Sequence, residues 1–469
     1  MNNSEENVSL QSQKQDETEE TNGFHGDSEG DVNTEKKASV PDGGWGWMVV
    51  FGCSFMHFLL GGYSRSFAVT YVEIREKFGS SAAITSWIGG INVGLRFFLG
   101  PLATSLSVKW GVRPVVMTGG IVMALFSLIG AWAPNEYFLF FSYSFGTALG
   151  GTLIYAPALI LVNQYFDNHR SVATGLASAG SGLGVFVFPP LIKYLFNNFG
   201  FTGAFIILSS ICLNNCVAGA LYRPLPSKKQ VAVVKKKVIS EKSSNCGSML
   251  PNAWRWINKH FGLSYLSEAV FGTYCLSMTL ITLSYVSGHQ LIVDLAKEQG
   301  VPDSKAVFLL SVIGITDTMG RLLSGFVFDF PFFRPRRQLY YCVSVFLSGG
   351  LLFGLGFSKD YLSFVLCSAF QGFFNGVVVC QRAVVIVDIV GMDKLSACFG
   401  LCVACQGFGV VFGPMIAGLL KDIYGSYVPS YIFVGSSCMA GGLMLLYSAL
   451  RHQLVTQKAK KAALTVEVT

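Results

Sequence analysis

The feature that most constrains this chain is a succession of long apolar runs separated by short polar breaks. A helix that crosses a bilayer needs about 20 mostly apolar residues. Stretches of that kind lie at 47–70, 82–107, 114–133, 137–163, 171–195 and 201–222, and then at 268–293, 305–328, 338–357, 361–390, 395–420 and 428–450. The expected fold class is an all-α polytopic membrane protein with twelve transmembrane helices in two six-helix halves. Composition agrees: 51% of the residues are hydrophobic and only 13% charged, where a soluble domain carries roughly 25% charged residues. The 52 glycines would weaken soluble helices but let membrane helices approach closely.

The polar segments set the expected organisation. Residues 1–40 hold ten acidic side chains and three lysines with almost nothing large and apolar, a composition that cannot bury enough surface to fold. They read as a disordered acidic tail, followed by a six-helix half at 41–222. The longest internal break, 223–262, carries nine lysines and arginines against one acid, Glu241. A second half at 263–450 and a basic tail at 451–469 complete the chain. Positively charged loops stay in the cytoplasm. An even number of spans then places both termini and the basic loop on that side. The sequons at Asn2 and Asn7 would go unused there. A weak internal repeat supports two halves: Gly100 precedes Lys109 and Arg113, as Gly325 precedes Asp329, Arg334, Arg336 and Arg337. Paired six-span halves are the architecture of the major facilitator class, with the solute site between them near the midplane.

Several function classes are disfavoured. Cysteines such as Cys53, Cys212, Cys275, Cys342, Cys398, Cys402 and Cys405 lie within apolar runs and act as small hydrophobes. No paired cysteines stand beside histidines at zinc spacing. A phosphate-binding glycine loop and a nucleophile–base motif are missing as well. Neither an enzyme, an ATP-driven pump nor a nucleic-acid binder is expected, and no cofactor is called for.

The first span opens on Pro41-Asp42-Gly43-Gly44-Trp45-Gly46-Trp47, and Tyr165-Phe166-Asp167-Asn168-His169-Arg170-Ser171-Val172-Ala173-Thr174-Gly175 precedes the fifth. Both resemble signatures of the monocarboxylate transporter family. Asn168 and His169 depart from the lysine and arginine usual there. Arg223-Pro224, Gly413-Pro414 and Ala417-Gly418 are further echoes, and the resemblance covers about residues 41–450. It implies a secondary transporter at the plasma membrane that travels, in many members, with a single-span immunoglobulin-like glycoprotein.

Ionisable residues inside spans cost roughly 2.5–3.5 kcal/mol each at mid-helix, so each calls for a reason. Asp317 and Arg321 stand four apart in the eighth span, one turn of one face, and can pair. Spacing leaves two readings, a substrate and proton site or a self-neutralising ion pair. The resemblance implies the first, with Arg321 holding a substrate carboxylate and Asp317 handling the proton. Arg65 occupies a position where proton-coupled members carry lysine. An arginine can hold a carboxylate but cannot release a proton, which argues against a proton carrier there. The opposing reading is an interfacial arginine snorkelling to the surface. Asn375 stands where members that carry lactate have phenylalanine. It implies a larger or more polar solute, or else a bond to a neighbouring helix. Arg96, Arg382 and His57 are secondary candidates. Either arginine lines the cavity or pairs with Asp317 or Asp388, while His57 and His289 could titrate. The excess of arginine over aspartate favours an anionic solute.

The leading expectation is therefore alternating-access transport of a monocarboxylate or other small carboxylate-bearing solute, with proton linkage through Asp317. The alternatives are proton-independent facilitation of a larger zwitterionic or aromatic carboxylate, and a non-transporting receptor built on a transporter fold.

Overall fold

The computed structural model describes residues 42–80, 82–224 and 263–468. The expected acidic tail and nearly all of the expected basic loop lie outside the described residues. Twelve helical spans follow in order: α1 (Trp45–Phe78), α2 (82–110), α3 (Val112–Gly130), α4 (Glu136–Tyr165), α5 (170–199), α6 (201–220), α7 (Ala269–Glu298), α8 (Asp303–Asp329), α9 (Arg337–Leu355), α10 (Tyr361–Val390), α11 (Leu395–Tyr424) and α12 (Val428–Val468). Nine helices among the described residues are long and apolar enough to cross a bilayer, or ten with the pair that forms α2. One of them, Arg170–Ala220, has 51 residues, or about 75 Å of helix at 1.5 Å per residue, and is two spans. It breaks at Gly200, whose φ of 64° is left-handed and suits glycine. The remaining span, α8, has 27 residues, enough to cross a bilayer.

Local sequence explains the departures from regular helix. α2 bends by 46° where Pro101 lies in the first turn of its second segment and supplies no backbone donor. The first span extends past the expected 70 to Phe78, with a break at Ser66. Within α4, Phe140–Gly146 widens into a π-helical turn. Asn135 starts α4 by accepting a hydrogen bond from the Phe138 amide at 2.9 Å, a common helix-capping contact.

The two ends of the bundle pack differently. We call the end that holds Arg223 and Leu263 the linker end, and its opposite the far end. One apolar cluster, from Val49 to Tyr222, belongs to the first half alone. Another, from Ile292 to Val434, belongs to the second. A third joins the linker-end parts of α7, α9, α10, α11 and α12 to Ala156, Leu159 and Ile160 of α4. The halves thus share a core at the linker end. Glycine makes the approach there possible: a Cβ at Gly175 would press on the Arg321 carbonyl, one at Gly182 would overlap Thr318, and one at Gly400 would overlap Thr104. Toward the far end α5 and α8 part. Phe186 and Ser311 are both exposed, and a Cβ at Gly314 would meet nothing within 4 Å. The structure is closed at the linker end and open at the far end.

Candidate functional site

α8 has an inverted amphipathic pattern. Ile315, Met319, Leu323 and Phe326 form an exposed apolar stripe, as expected of a lipid-facing surface. Asp317 and Arg321, on the opposite side, are each 2% exposed. The one-turn spacing brings them into an ion pair, Nη2 to Oδ2 at 2.7 Å, and Nε also donates to Oδ2 at 2.9 Å. Nη1 reaches across to the first half, donating to the Ser178 carbonyl at 3.1 Å and to Ser181 Oγ at 2.8 Å. Asn375 of α10 donates its amide to Asp317 Oδ1 at 2.8 Å. α8 and α10 come this close because residue 376 is glycine; a side chain there would run into the Asp317 carbonyl. The result is a buried, hydrogen-bonded pair on the seam between the halves. A charge in this setting persists only when paired.

The other sequence candidates occupy different levels of the same seam. Arg65 is exposed and donates to Tyr285 Oη of α7 at 2.7 Å, within Coulombic reach of Asp317. Arg96 is half-buried. It donates to Ser64 Oγ at 2.9 Å, and its stem lies against Gly151. His57 is buried, its Nδ1 lies 2.9 Å from the Cys53 carbonyl, and its ring meets Tyr155 edge-on with centroids 5.6 Å apart. His289 Nε2 lies 3.0 Å from Gln371 Oε1.

Pairing of Arg96 or Arg382 with Asp317 or Asp388 is not what the fold makes. Arg382 bonds instead to Gln406 of α11 and Tyr155 of α4, both acceptors on other helices. Asp388 faces Arg337, at 3.3 Å.

Linker-end closure is ionic along one seam. Asp329 accepts from the backbone amides of Ser171 and Val172 at 3.1 and 2.9 Å, capping α5 from the opposite half. Such a carboxylate gains from the helix dipole as well as from the two amides. Arg337 holds Asp329 at 3.2 Å, and Arg334 donates to Asn168 Oδ1 at 2.8 Å. Asp42 of the opening motif accepts from the amides of Asp167 and Asn168 at 2.7 and 2.9 Å. The two signature segments are therefore physically joined, and the departure at Asn168 is used in the cross-half contact. Asp329 entered the sequence reading only as part of a repeat. Ser178, Ser181, Tyr155 and Tyr285 gave no signal beyond polar groups placed inside spans.

Comparison with known proteins gives a consistent picture. The family model described as "Major Facilitator Superfamily" matches residues 51–347 and 269–468. "Monocarboxylate transporter 2" of Homo sapiens is 31% identical over 429 residues, covering 90% of this chain and 89% of that protein. "Monocarboxylate transporter 13" of Rattus norvegicus is 32% identical over 410 residues, covering 87% of this chain and 90% of its own length. Among solved structures, the proton:xylose symporter XylE bound to 6-bromo-6-deoxy-D-glucose superposes with a TM-score of 0.64 at 13% identity, over 86% of this chain and 95% of XylE. FucP, in the outward conformation, superposes with a TM-score of 0.61 at 13% identity, over 85% of this chain and 98% of FucP. At that identity the two structures speak to the fold alone.

Proposed function

This chain belongs to the monocarboxylate transporter family of the major facilitator superfamily, and on that footing we propose that it carries a small carboxylate-bearing organic solute across the plasma membrane by alternating access. That it is a multi-pass secondary transporter and not an enzyme follows from the family itself. The observation that carries the substrate reading is the buried Asp317–Arg321 pair on the seam between the halves, below a far-end opening in which Arg65 is exposed.

The chemistry follows from charge balance. With Asp317 ionised, Arg321 is neutralised and has little pull on a second anion. Protonation of Asp317 removes that competitor, and the guanidinium is then free to take a carboxylate through two parallel hydrogen bonds. Asn375 holds the Asp317 carboxyl in place and narrows its choice of partners. Arg65, unpaired with any acid among the described residues and facing water, would draw the anion in. In this scheme the proton and the carboxylate bind together because each relieves the charge the other leaves. The linker end and both chain termini would face the cytoplasm, as the basic charge of 223–262 requires.

Uptake into proteoliposomes holding a pH-sensitive dye tests this, across a panel from lactate to larger aromatic carboxylates. Uptake with internal acidification is the expected result. The second reading, proton-independent facilitation of a larger solute, rests on Arg65 and on the amide at Asn375. Uptake with no pH change would select it. Saturable binding without flux would leave the receptor reading.

A further inference from the structure

Four arginines are buried among the described residues: Arg170, Arg321, Arg337 and Arg382. Three have carboxylate partners. Arg170 pairs with Asp167, Arg321 with Asp317, and Arg337 with both Asp329 and Asp388. Arg382 is 7% exposed and pairs with no carboxylate among the described residues. Its Nη1 donates to Gln406 Oε1, its Nη2 donates to Tyr155 Oη, and its Nε is buried without a hydrogen-bond partner. The Phe399 ring lies 5.6 Å from the guanidinium carbon. A buried cation held only by neutral acceptors is costly unless an anion answers it. An unfilled buried donor adds to that cost.

The position is specific. Arg382 lies seven residues beyond Asn375 on α10, about 10 Å nearer the linker end. It is therefore separate from the Asp317–Arg321 pair. Tyr155 belongs to the first half, whereas Arg382 and Gln406 belong to the second, so the Tyr155–Arg382 bond crosses the seam. An opening of the linker end that draws α4 away from α10 would break it. The guanidinium would then lose the acceptor on its Nη2 as that side becomes accessible, while Nε is already unfilled. Nε and Nη2 form one edge of the guanidinium, the edge that a carboxylate grips with both oxygens.

We propose that Arg382 is the cationic post of a second anion subsite, on the linker side of the Asp317–Arg321 pair, which takes an organic carboxylate on its Nε–Nη2 edge when Tyr155 withdraws. Gln406 stays on Nη1 and fixes the plane of the guanidinium. His57, edge-on to Tyr155, orients the ring that guards the subsite. The inference rests on the transport reading for the solute's passage, but the subsite itself is a binding claim that can be measured without flux.

The test uses the full-length protein in detergent, with benzoate as the probe and thermal unfolding as the readout, alongside uptake in proteoliposomes. Wild type should be stabilised saturably by benzoate. Arg382→Gln should raise the half-saturating concentration at least tenfold. Tyr155→Phe, which removes the competing acceptor, should lower it severalfold. If Arg382→Gln does not fold, Tyr155→Phe decides alone, since unchanged or weaker benzoate binding overturns the proposal. Chloride producing the same stabilisation at the same concentrations also overturns it, because the site would then be a general halide site. A wild type that binds benzoate through Arg382 yet moves no carboxylate sinks the transport reading and leaves the subsite standing. Flux with a titration untouched by either variant does the reverse.

Discussion

α2 and α8 occupy equivalent places in the two halves, and aligning Gly100 with Gly325 aligns three further positions. Arg96 falls on Arg321, Asn92 on Asp317, and Thr104 on Asp329. The two helices thus share the arginine and the glycine but differ wherever the second half carries an acid. In α8 the acid neutralises the arginine, and a second acid caps α5 across the seam. In α2, Asn92 turns inward to its own half, donating to the Tyr143 carbonyl at 2.9 Å and Thr147 Oγ1 at 2.7 Å. Arg96 is left with the Ser64 hydroxyl, and Thr104 bonds only its own helix, to the Pro101 carbonyl. The same scaffold position therefore holds an ion pair in one half and an unbalanced cation in the other. A pair can respond to a proton. A lone arginine, charged at every accessible pH, can only attract.

The largest expected effect comes from making α8 resemble α2. Asp317→Asn leaves Arg321 buried without its counter-ion, and breaking a buried pair costs about 3–5 kcal/mol. Uptake should fall by at least about 100-fold, because a loss of about 3 kcal/mol already exceeds that factor, and any proton movement should fall with it. Proton-linked uptake that survives this variant would falsify the role given to Asp317. Next comes Asp329→Asn, which weakens charged hydrogen bonds worth about 1.5–3 kcal/mol each. A spin-label pair across the linker end, on α5 and α8, should report a shift toward longer distances. An unchanged distance distribution would mean that apolar packing alone closes that seam.

The reciprocal change, Asn92→Asp, cannot reproduce the two donated bonds of the amide. It should lower stability by about 1–3 kcal/mol through the acceptors it strands, seen as a drop in the unfolding midpoint. By partly neutralising Arg96 it should also raise the half-saturating concentration for carboxylate uptake. A fall in that concentration would show that the charge on Arg96 works against the anion. The smallest effect belongs to Thr104→Val. It removes a bond made within one helix, and the midpoint should move by less than about 1 kcal/mol equivalent, with the cross-seam distances unchanged. A response as large as that of Asp329→Asn would erase the distinction between α2 and α8.

How much of this was legible beforehand depends on the range of the interaction. Asp317 and Arg321 were readable as a pair because one helical turn brings them together whatever else the chain does. Asn375 was readable as a polar group out of place, but its bond to Asp317 spans 58 residues of sequence and needs the α8–α10 approach at Gly376. Of the two readings for Arg382, cavity lining or an aspartate partner, the fold does not make the second, because charge alone does not say which groups lie within reach. The nearest acceptors the fold supplies are a tyrosine from α4 and a glutamine from α11.

Sequence by itself determined that the chain is a bundle of membrane helices, where those helices lie, and which residues are charged at a depth where charge is expensive. These are local properties, set by hydropathy over about 20 residues and by periodicity over one turn. Only the tertiary structure decided which charges are answered and which are not, that the linker end is shut while the far end is open, and that Asp329 of one half caps a helix of the other. Such contacts depend on how closely two helices distant in sequence approach, which is fixed by small residues and side-chain fit along the whole seam.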